Sequence, residues 1–193
     1  KTAMPDVPKY PLIFTKATSS VIGPDDFIDP HKNVTNAVDY EGELAVIIGK
    51  EGSDIPVSEA MDYVYGFTIL NDVTARDLQA NHVQWFHGKS LDTFCPMGPY
   101  VLLRDAAPDT FDVVTKVNGE VRQDASTGEF IFTIPQLIQT ISQGTTLLPG
   151  DVIATGTPSG VGVGFNPPKY IHSGDVVEIS ISGIGTLKNT VKK

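Results

Sequence analysis

The sequence predicts a mainly β domain with a few short helices. Short apolar runs, five to seven residues long, recur between turns built from the Gly and Pro that fill 32 of 193 positions. Two of these runs are joined by Asn118-Gly119, a pair that supplies the positive φ of a tight hairpin. Helical spacing of apolar residues is clear only around Ile134, Leu137, Ile138 and Ile141.

Taken in order, residues 1–13 carry three prolines and no helical period, and read as a linker, the end of an upstream segment. From residue 14 to 193 the apolar segments follow at short intervals, as one domain. Glu43–Gly49 is an apolar run ending at Gly, the mark of a strand buried on both faces. Ser58 is placed to cap a short helix reaching Tyr63, and Gly66–Leu70 reads as a second buried strand. Val113–Val117 and Glu120–Gln123 flank the Asn-Gly hairpin. Thr133-Ile134-Pro135-Gln136 has the spacing of a capping box, and Gly144 ends the helix it opens. Gly150-Asp151 and Gly174-Asp175 each open a strand. In the second of these, Val177, Ile179 and Ile181 alternate with Glu178, Ser180 and Ser182.

Composition narrows the function. A net charge of −9 argues against a duplex-binding protein, which needs a basic face. No apolar run approaches the ~20 residues of a membrane-spanning helix. The single cysteine, Cys95, excludes an internal disulfide framework and a Cys-rich zinc site, and suits a reducing compartment. These features together indicate a soluble, intracellular protein.

Four segments carry candidate chemistry. In Tyr40-Glu41-Gly42-Glu43, spacing by two puts Glu41 and Glu43 on one face at a strand entrance. Two adjacent anions call for a shared cation or a proton, although a solvated strand edge would present the same pattern. The apolar strand begun at 66–70 runs on through Asn71 into Asp72, a candidate third oxygen ligand, with Arg76 and Gln79 as donors on the following turn. The competing reading has Asp72 or Thr74 capping a helix that begins at Thr74, and Arg76 pairing with Asp77 at the surface. Three carboxylates without His or Cys form a hard site that selects Mg²⁺, Mn²⁺ or Ca²⁺ over zinc. Lys89, in a Gly/Pro-bounded turn, is placed to supply a positive charge for an enolate, or is simply an exposed lysine. Its Gly88-Lys89-Ser90 context is not a phosphate loop, since position 83 is Val rather than Gly. The glycine-rich 155–164 turn offers backbone amides and the Thr157 hydroxyl to a carboxylate, or is an ordinary hairpin loop. His31, His82, His87 and His172 have no metal-ligand spacing, and Cys95 reads as a small buried hydrophobe.

DYEGELAVIIG at 39–49, YGFTILNDVTARDLQ at 65–79, GKSLDTFCPMGP at 88–99, VNGEVRQ at 117–123 and LLPGDVIATGTPSGVG at 147–162 occur in one order along nearly the whole chain. In this the chain resembles the fumarylacetoacetate hydrolase superfamily. The resemblance implies that family's catalytic domain, a mixed β-sandwich roll that forms a homodimer. It implies a metal triad of Glu41, Glu43 and Asp72 holding Mg²⁺, Mn²⁺ or Ca²⁺. Lys89 falls on the active-site lysine, and Arg76, Gln79 and Thr157 on substrate-contacting positions. The implied substrates are small 2-oxo acids or their enols, in the cytoplasm or, in a eukaryote, the mitochondrion.

The stretch TARDLQANHVQWFHGKSLDTFCPMGP most resembles members named 2-hydroxyhepta-2,4-diene-1,7-dioate isomerases. Hydrolytic members carry a water-activating His-x-x-Glu pair upstream of the position matching Lys1, and no His-x-x-Glu occurs in this chain. The expected chemistry is therefore hydrolysis of an acylpyruvate-like C–C bond or isomerisation of an unsaturated 2-oxo dicarboxylate. Alternatives are tautomerisation or decarboxylation of oxaloacetate, and a non-catalytic metal- or metabolite-binding protein on the same fold.

Overall fold

Alternation along Gly42–Ile48 sets the layering of the molecule, sending Leu44, Val46 and Ile48 to one side and Glu43, Ala45 and Ile47 to the other. The computed structural model describes residues 8–193. In chain order the strands are β1 (Val21–Ile22), β2 (Phe27–Ile28), β3 (Val38–Asp39), β4 (Gly42–Ile48), β5 (Val64–Asn71), β6 (Thr74–Ala75), β7 (Cys95–Leu103), β8 (Asp112–Val117), β9 (Glu120–Ser126), β10 (Val152–Ala154), β11 (Val176–Ile181) and β12 (Gly185–Val191). The helices are α1 (Arg76–Asn81), α2 (Phe86–Lys89) and α3 (Ile134–Ser142). The fold is mainly β with short helices. Most of the segment expected as a linker, residues 1–7, lies outside the described part.

One five-stranded sheet has the order β1-β7-β5-β4-β10 and the other β2-β12-β11-β8-β9, with β3 and β6 forming a separate ladder. The sheets are mixed, because the β1–β7 and β2–β12 pairs are parallel and the rest antiparallel. The main core lies between the two sheets. Leu44, Val46, Ile48, Phe67 and Ile69 from the first meet Val113, Val177, Ile179, Ile181 and Leu187 from the second, all buried. Burial of this apolar surface is the dominant stabilising term.

The local signals act as chemistry dictates. Asn118 and Gly119 have φ of 51° and 81°, and Val117 pairs with Glu120 across them. Thr133 and Gln136 close the capping box at the start of α3. Two expectations are displaced. Thr74 does not open a helix, because Thr74 and Ala75 pair with Asp39 and Val38 in the small ladder and α1 starts at Arg76. The Ser58 segment gives only a single 3₁₀ turn, Ala60–Tyr63, with no side-chain cap.

The opposite face of the first sheet carries a second, smaller apolar cluster of Ala45, Leu70 and Cys95, with Met97 and Ala154 packed against it. Glu43 pairs with Leu70, and Leu70 with Met97, so Glu43 stands on this face beside the cluster.

Candidate active site

Strand parity gathers the acidic residues. Glu41 and Glu43 project from the β4 entrance, and Asp72 follows the last residue of β5, which pairs with Gly42. Glu41, Glu43 and Asp72 are 7%, 3% and 0% exposed, which removes the solvated-edge alternative. Each offers a carboxylate oxygen, and the three oxygens lie within 4.8 Å of one another.

Lys89 completes the group from the end of α2. Its Nζ donates to Glu41 Oε2 at 2.7 Å and to Asp72 Oδ2 at 2.6 Å. At 1% exposure it is no surface lysine. Burial works against its charge, but Glu41 and Asp72 outweigh burial and hold its pKa above the ordinary lysine value. Arg76 pairs through Nε with Asp39 Oδ2 at 2.8 Å and through Nη1 with Glu41 Oε1 at 2.7 Å. It does not pair with Asp77, which instead accepts from the Thr35 hydroxyl. Gln79 Oε1 accepts from Arg76 Nη1 at 3.1 Å.

Asp72 and Thr74 do not cap α1, since its preceding residue is Ala75 with no side-chain cap. The Thr74 hydroxyl donates to the Asp72 carbonyl at 2.8 Å. The histidines stay outside this group. His31 Nε2 meets the Asp92 carbonyl at 2.9 Å, and the ring of His82, just after α1, packs against that of His87 in α2.

The glycine-rich turn is anchored to the protein's own acids. Gly156 N donates to Glu43 Oε2 at 2.8 Å, and Gly162 N and Val163 N donate to Asp39. The Thr157 hydroxyl donates to the Gly42 carbonyl at 3.0 Å and accepts from Gln123 Nε2 at 2.7 Å. These amides and this hydroxyl are thus already engaged in building the site.

Three contributors carry no signal that the sequence reading used. Lys16 Nζ reaches Asp72 Oδ1 at 2.5 Å and also donates to the Lys89 carbonyl, from an irregular segment far away in sequence. Asp39 continues the Glu41/Glu43 alternation one step upstream, so spacing by two would have found it. Gln123 crosses from the second sheet to accept from Gly42 N.

The charges do not balance. Asp39, Glu41, Glu43 and Asp72 face Lys16, Arg76 and Lys89, four carboxyl groups against three cations, so full ionisation would leave one negative charge without a partner. Among the described residues Glu43 has no cation within ion-pair distance, and its bonded donor is Gly156 N. Burial, then the charges of Asp72 and Glu41, push its pKa up to about 8. Burial also raises Glu41 against the pull of Lys89, whereas at Asp72 Lys89 and Lys16 overcome burial and hold the pKa low. An all-oxygen donor set in which one carboxyl group has no cation partner fits a hard divalent cation.

Comparison with known proteins identifies the family. The chain is 54% identical over 188 residues to an oxaloacetate tautomerase, YisK, of Bacillus subtilis, covering 96% of this chain and 62% of that protein. It thus spans about three-fifths of the length of that relative. Among solved structures, a fumarylacetoacetate hydrolase of Exiguobacterium antarcticum superposes with a TM-score of 0.92 at 53% identity, over 94% of this chain and 66% of the other. A 2-hydroxyhepta-2,4-diene-1,7-dioate isomerase of Mycobacterium marinum superposes with a TM-score of 0.88 at 42% identity, over 96% of this chain and 70% of the other. Residues 1–192 match the model of the fumarylacetoacetate (FAA) hydrolase C-terminal domain, and the chain belongs to that family.

Proposed function

We propose that this chain carries the catalytic centre of a divalent-metal-dependent enzyme that interconverts the keto and enol forms of oxaloacetate or a closely similar 2-oxo dicarboxylate. The observation that carries the reading is the buried Lys89 ammonium, held between Glu41 and Asp72 in a group whose third carboxyl, Glu43, has no cation partner among the described residues. The 54% identity to an oxaloacetate tautomerase supports the choice of substrate.

Glu41, Glu43 and Asp72 would hold the ion, Mg²⁺ or Mn²⁺ by the hardness of the donors, with Ca²⁺ also compatible. Once bound, such an ion polarises a 2-oxo group and favours its enol form. The remaining work belongs to the chain. Lys89 is kept charged, so in the enol-to-keto direction its Nζ gives a proton to C3 and takes up the proton leaving the 2-hydroxyl. One proton moves from oxygen to carbon and the lysine is regenerated. Arg76, oriented with Gln79, holds a carboxylate of the substrate, and Thr157 keeps the glycine-rich turn seated on Gly42.

A second reading is isomerisation of an unsaturated 2-oxo dicarboxylate, favoured by the Mycobacterium marinum isomerase at 42% identity. It uses the same proton transfer at a vinylogous carbon. Acylpyruvate cleavage and decarboxylation are further alternatives, which product analysis separates. The family resemblance extends the proposal to a homodimer acting in the cytoplasm, the first readable by sedimentation velocity. No helix among the described residues is long and apolar enough to cross a membrane.

The test follows the enol absorbance of oxaloacetate with Mg²⁺ and with EDTA. The proposal expects decay faster than the uncatalysed rate, lost with EDTA and in Lys89→Met, with no pyruvate formed. Pyruvate release at the same rate would replace tautomerisation by decarboxylation. No acceleration at all would remove oxaloacetate as the substrate.

A further inference from the structure

We infer that Asp39 is a positioning residue of this site, holding Arg76 and the 162–163 turn in one arrangement that leaves a single edge of the guanidinium for a substrate carboxylate. The inference rests on the substrate-binding role proposed for Arg76. Asp39 is fully buried and its two oxygens are saturated. Oδ1 accepts from Tyr40 N at 2.9 Å and Gly162 N at 2.7 Å, and Oδ2 accepts from Val163 N at 2.9 Å and Arg76 Nε at 2.8 Å. The turn is cut to fit this carboxylate, since a Cβ on Gly162 would lie 2.5 Å from Asp39 Oδ1.

The consequence falls on Arg76. Its Nε is committed to Asp39, and its Nη1 to Glu41 and Gln79. Its Nη2 is buried and has no partner among the described residues. A buried guanidinium nitrogen without an acceptor is costly, and such atoms in native proteins call for an explanation, here completion by a ligand. Only the Nη2 edge is free, so a substrate carboxylate meets one nitrogen rather than the usual two-nitrogen fork. Without the Asp39 charge, the guanidinium is released at Nε and can turn its fork onto Glu41, 2.7 Å away. That withdraws the free edge from the substrate carboxylate.

The test is a kinetic cycle on the full chain with oxaloacetate: wild type, Asp39→Asn, Arg76→Gln and the double variant, with Asp39→Glu as the charge-retaining control. Asp39→Asn is expected to raise KM about tenfold while kcat changes by less than about threefold, because a binding contact common to ground and transition state is lost. In the Arg76→Gln background the same substitution should change KM by less than about twofold, because Asp39 acts through Arg76. Asp39→Glu should recover part of the loss.

If Arg76→Gln raises KM and Asp39→Asn raises it again by the same factor in that background, Asp39 is merely structural and the inference fails. If Arg76→Gln leaves KM unchanged, the role proposed for Arg76 fails first. Should the Asp39 variants not fold, the ¹⁵N–¹H spectrum of the wild type decides, with the Arg76 Nε–H signal assigned by its loss in Arg76→Lys. A protected Nε–H signal that stays in place when oxalate and Mg²⁺ are added is expected. Rapid exchange of that proton with water overturns the inference.

Discussion

Lys89 Nζ lies 2.6 Å from Asp72 Oδ2, and neither side chain is exposed by more than 2%. A pair buried this deeply is tolerated only while each charge keeps its partner, and removing one member leaves an uncompensated ion in the interior. Lys89→Met should therefore lower stability by about 3 kcal/mol in EDTA. Mg²⁺ or Mn²⁺ should recover part of this, raising the melting temperature of the variant more than that of the wild type. An equal metal-induced shift in both proteins would argue against a cation site shared with Lys89.

Glu43→Gln separates the metal from the fold. Glu43 is the acid of the triad without a cation partner, so the amide should cost little stability in EDTA. It should abolish the stabilisation that Mn²⁺ gives the wild type, about 2.7 kcal/mol at a hundredfold excess over Kd. Thermal melts with and without Mn²⁺ read both quantities.

The pH dependence follows from the same residue. Folding raises the Glu43 pKa from 4.5 to about 8, so between these values the folded state keeps a proton that the unfolded chain has lost. The folded state binds more protons, and this contribution to stability falls as pH rises from 4.5 through 8. Metal uptake must displace that proton, so affinity for Mn²⁺ should rise with pH and level off above about 8. Calorimetry of Mn²⁺ binding to the wild type in buffers of different ionisation enthalpy should show proton release at pH 7 that declines as the pH is raised past about 8.

Gly42 lies under the site and against the second sheet. A Cβ at this position would fall 2.1 Å from Thr115 Oγ1, with Gln123 Oε1 and Ile179 Cγ2 each at 3.2 Å. Gly42→Ala should cost about 1–3 kcal/mol as an overpacking change. The Thr115 hydroxyl is buried and has no partner among the described residues, so Thr115→Ala gives up little hydrogen bonding. Combined with Gly42→Ala it should recover most of the loss, as chemical denaturation of the two single variants and the double variant will show.

Cys95 is 4% exposed, and burial pushes its thiol up to about 11. It should resist thiol reagents at pH 8 in the native protein and react fully on unfolding. Fast native labelling would mean that the small apolar cluster beside Glu43 opens readily.

Much of this architecture is legible in the sequence because local chemistry decides it. The Asn118-Gly119 turn, the Thr133–Gln136 capping box and the alternation of Val177, Ile179 and Ile181 need only their neighbours. Glu41 and Glu43 are legible as a same-face pair for the same reason. Their burial is not, because it depends on β5, β10 and Lys89 closing around them. Lys16 is invisible in the sequence, since its role comes from a long-range path that brings an irregular segment onto Asp72. Thr74 misleads because its preference for helix starts yields to ladder pairing with Asp39. The Thr157 hydroxyl looks free in the sequence, but Gln123 from the opposite sheet engages it.

The most direct test of the central claim is proton NMR of oxaloacetate in D₂O with Mg²⁺, following loss of the C3 proton signal above the uncatalysed rate. The account predicts that wild type accelerates exchange at C3 without forming pyruvate, and that Lys89→Met and Glu43→Gln do not. Exchange as fast with Lys89→Met as with wild type would contradict the placement of proton transfer at this buried lysine.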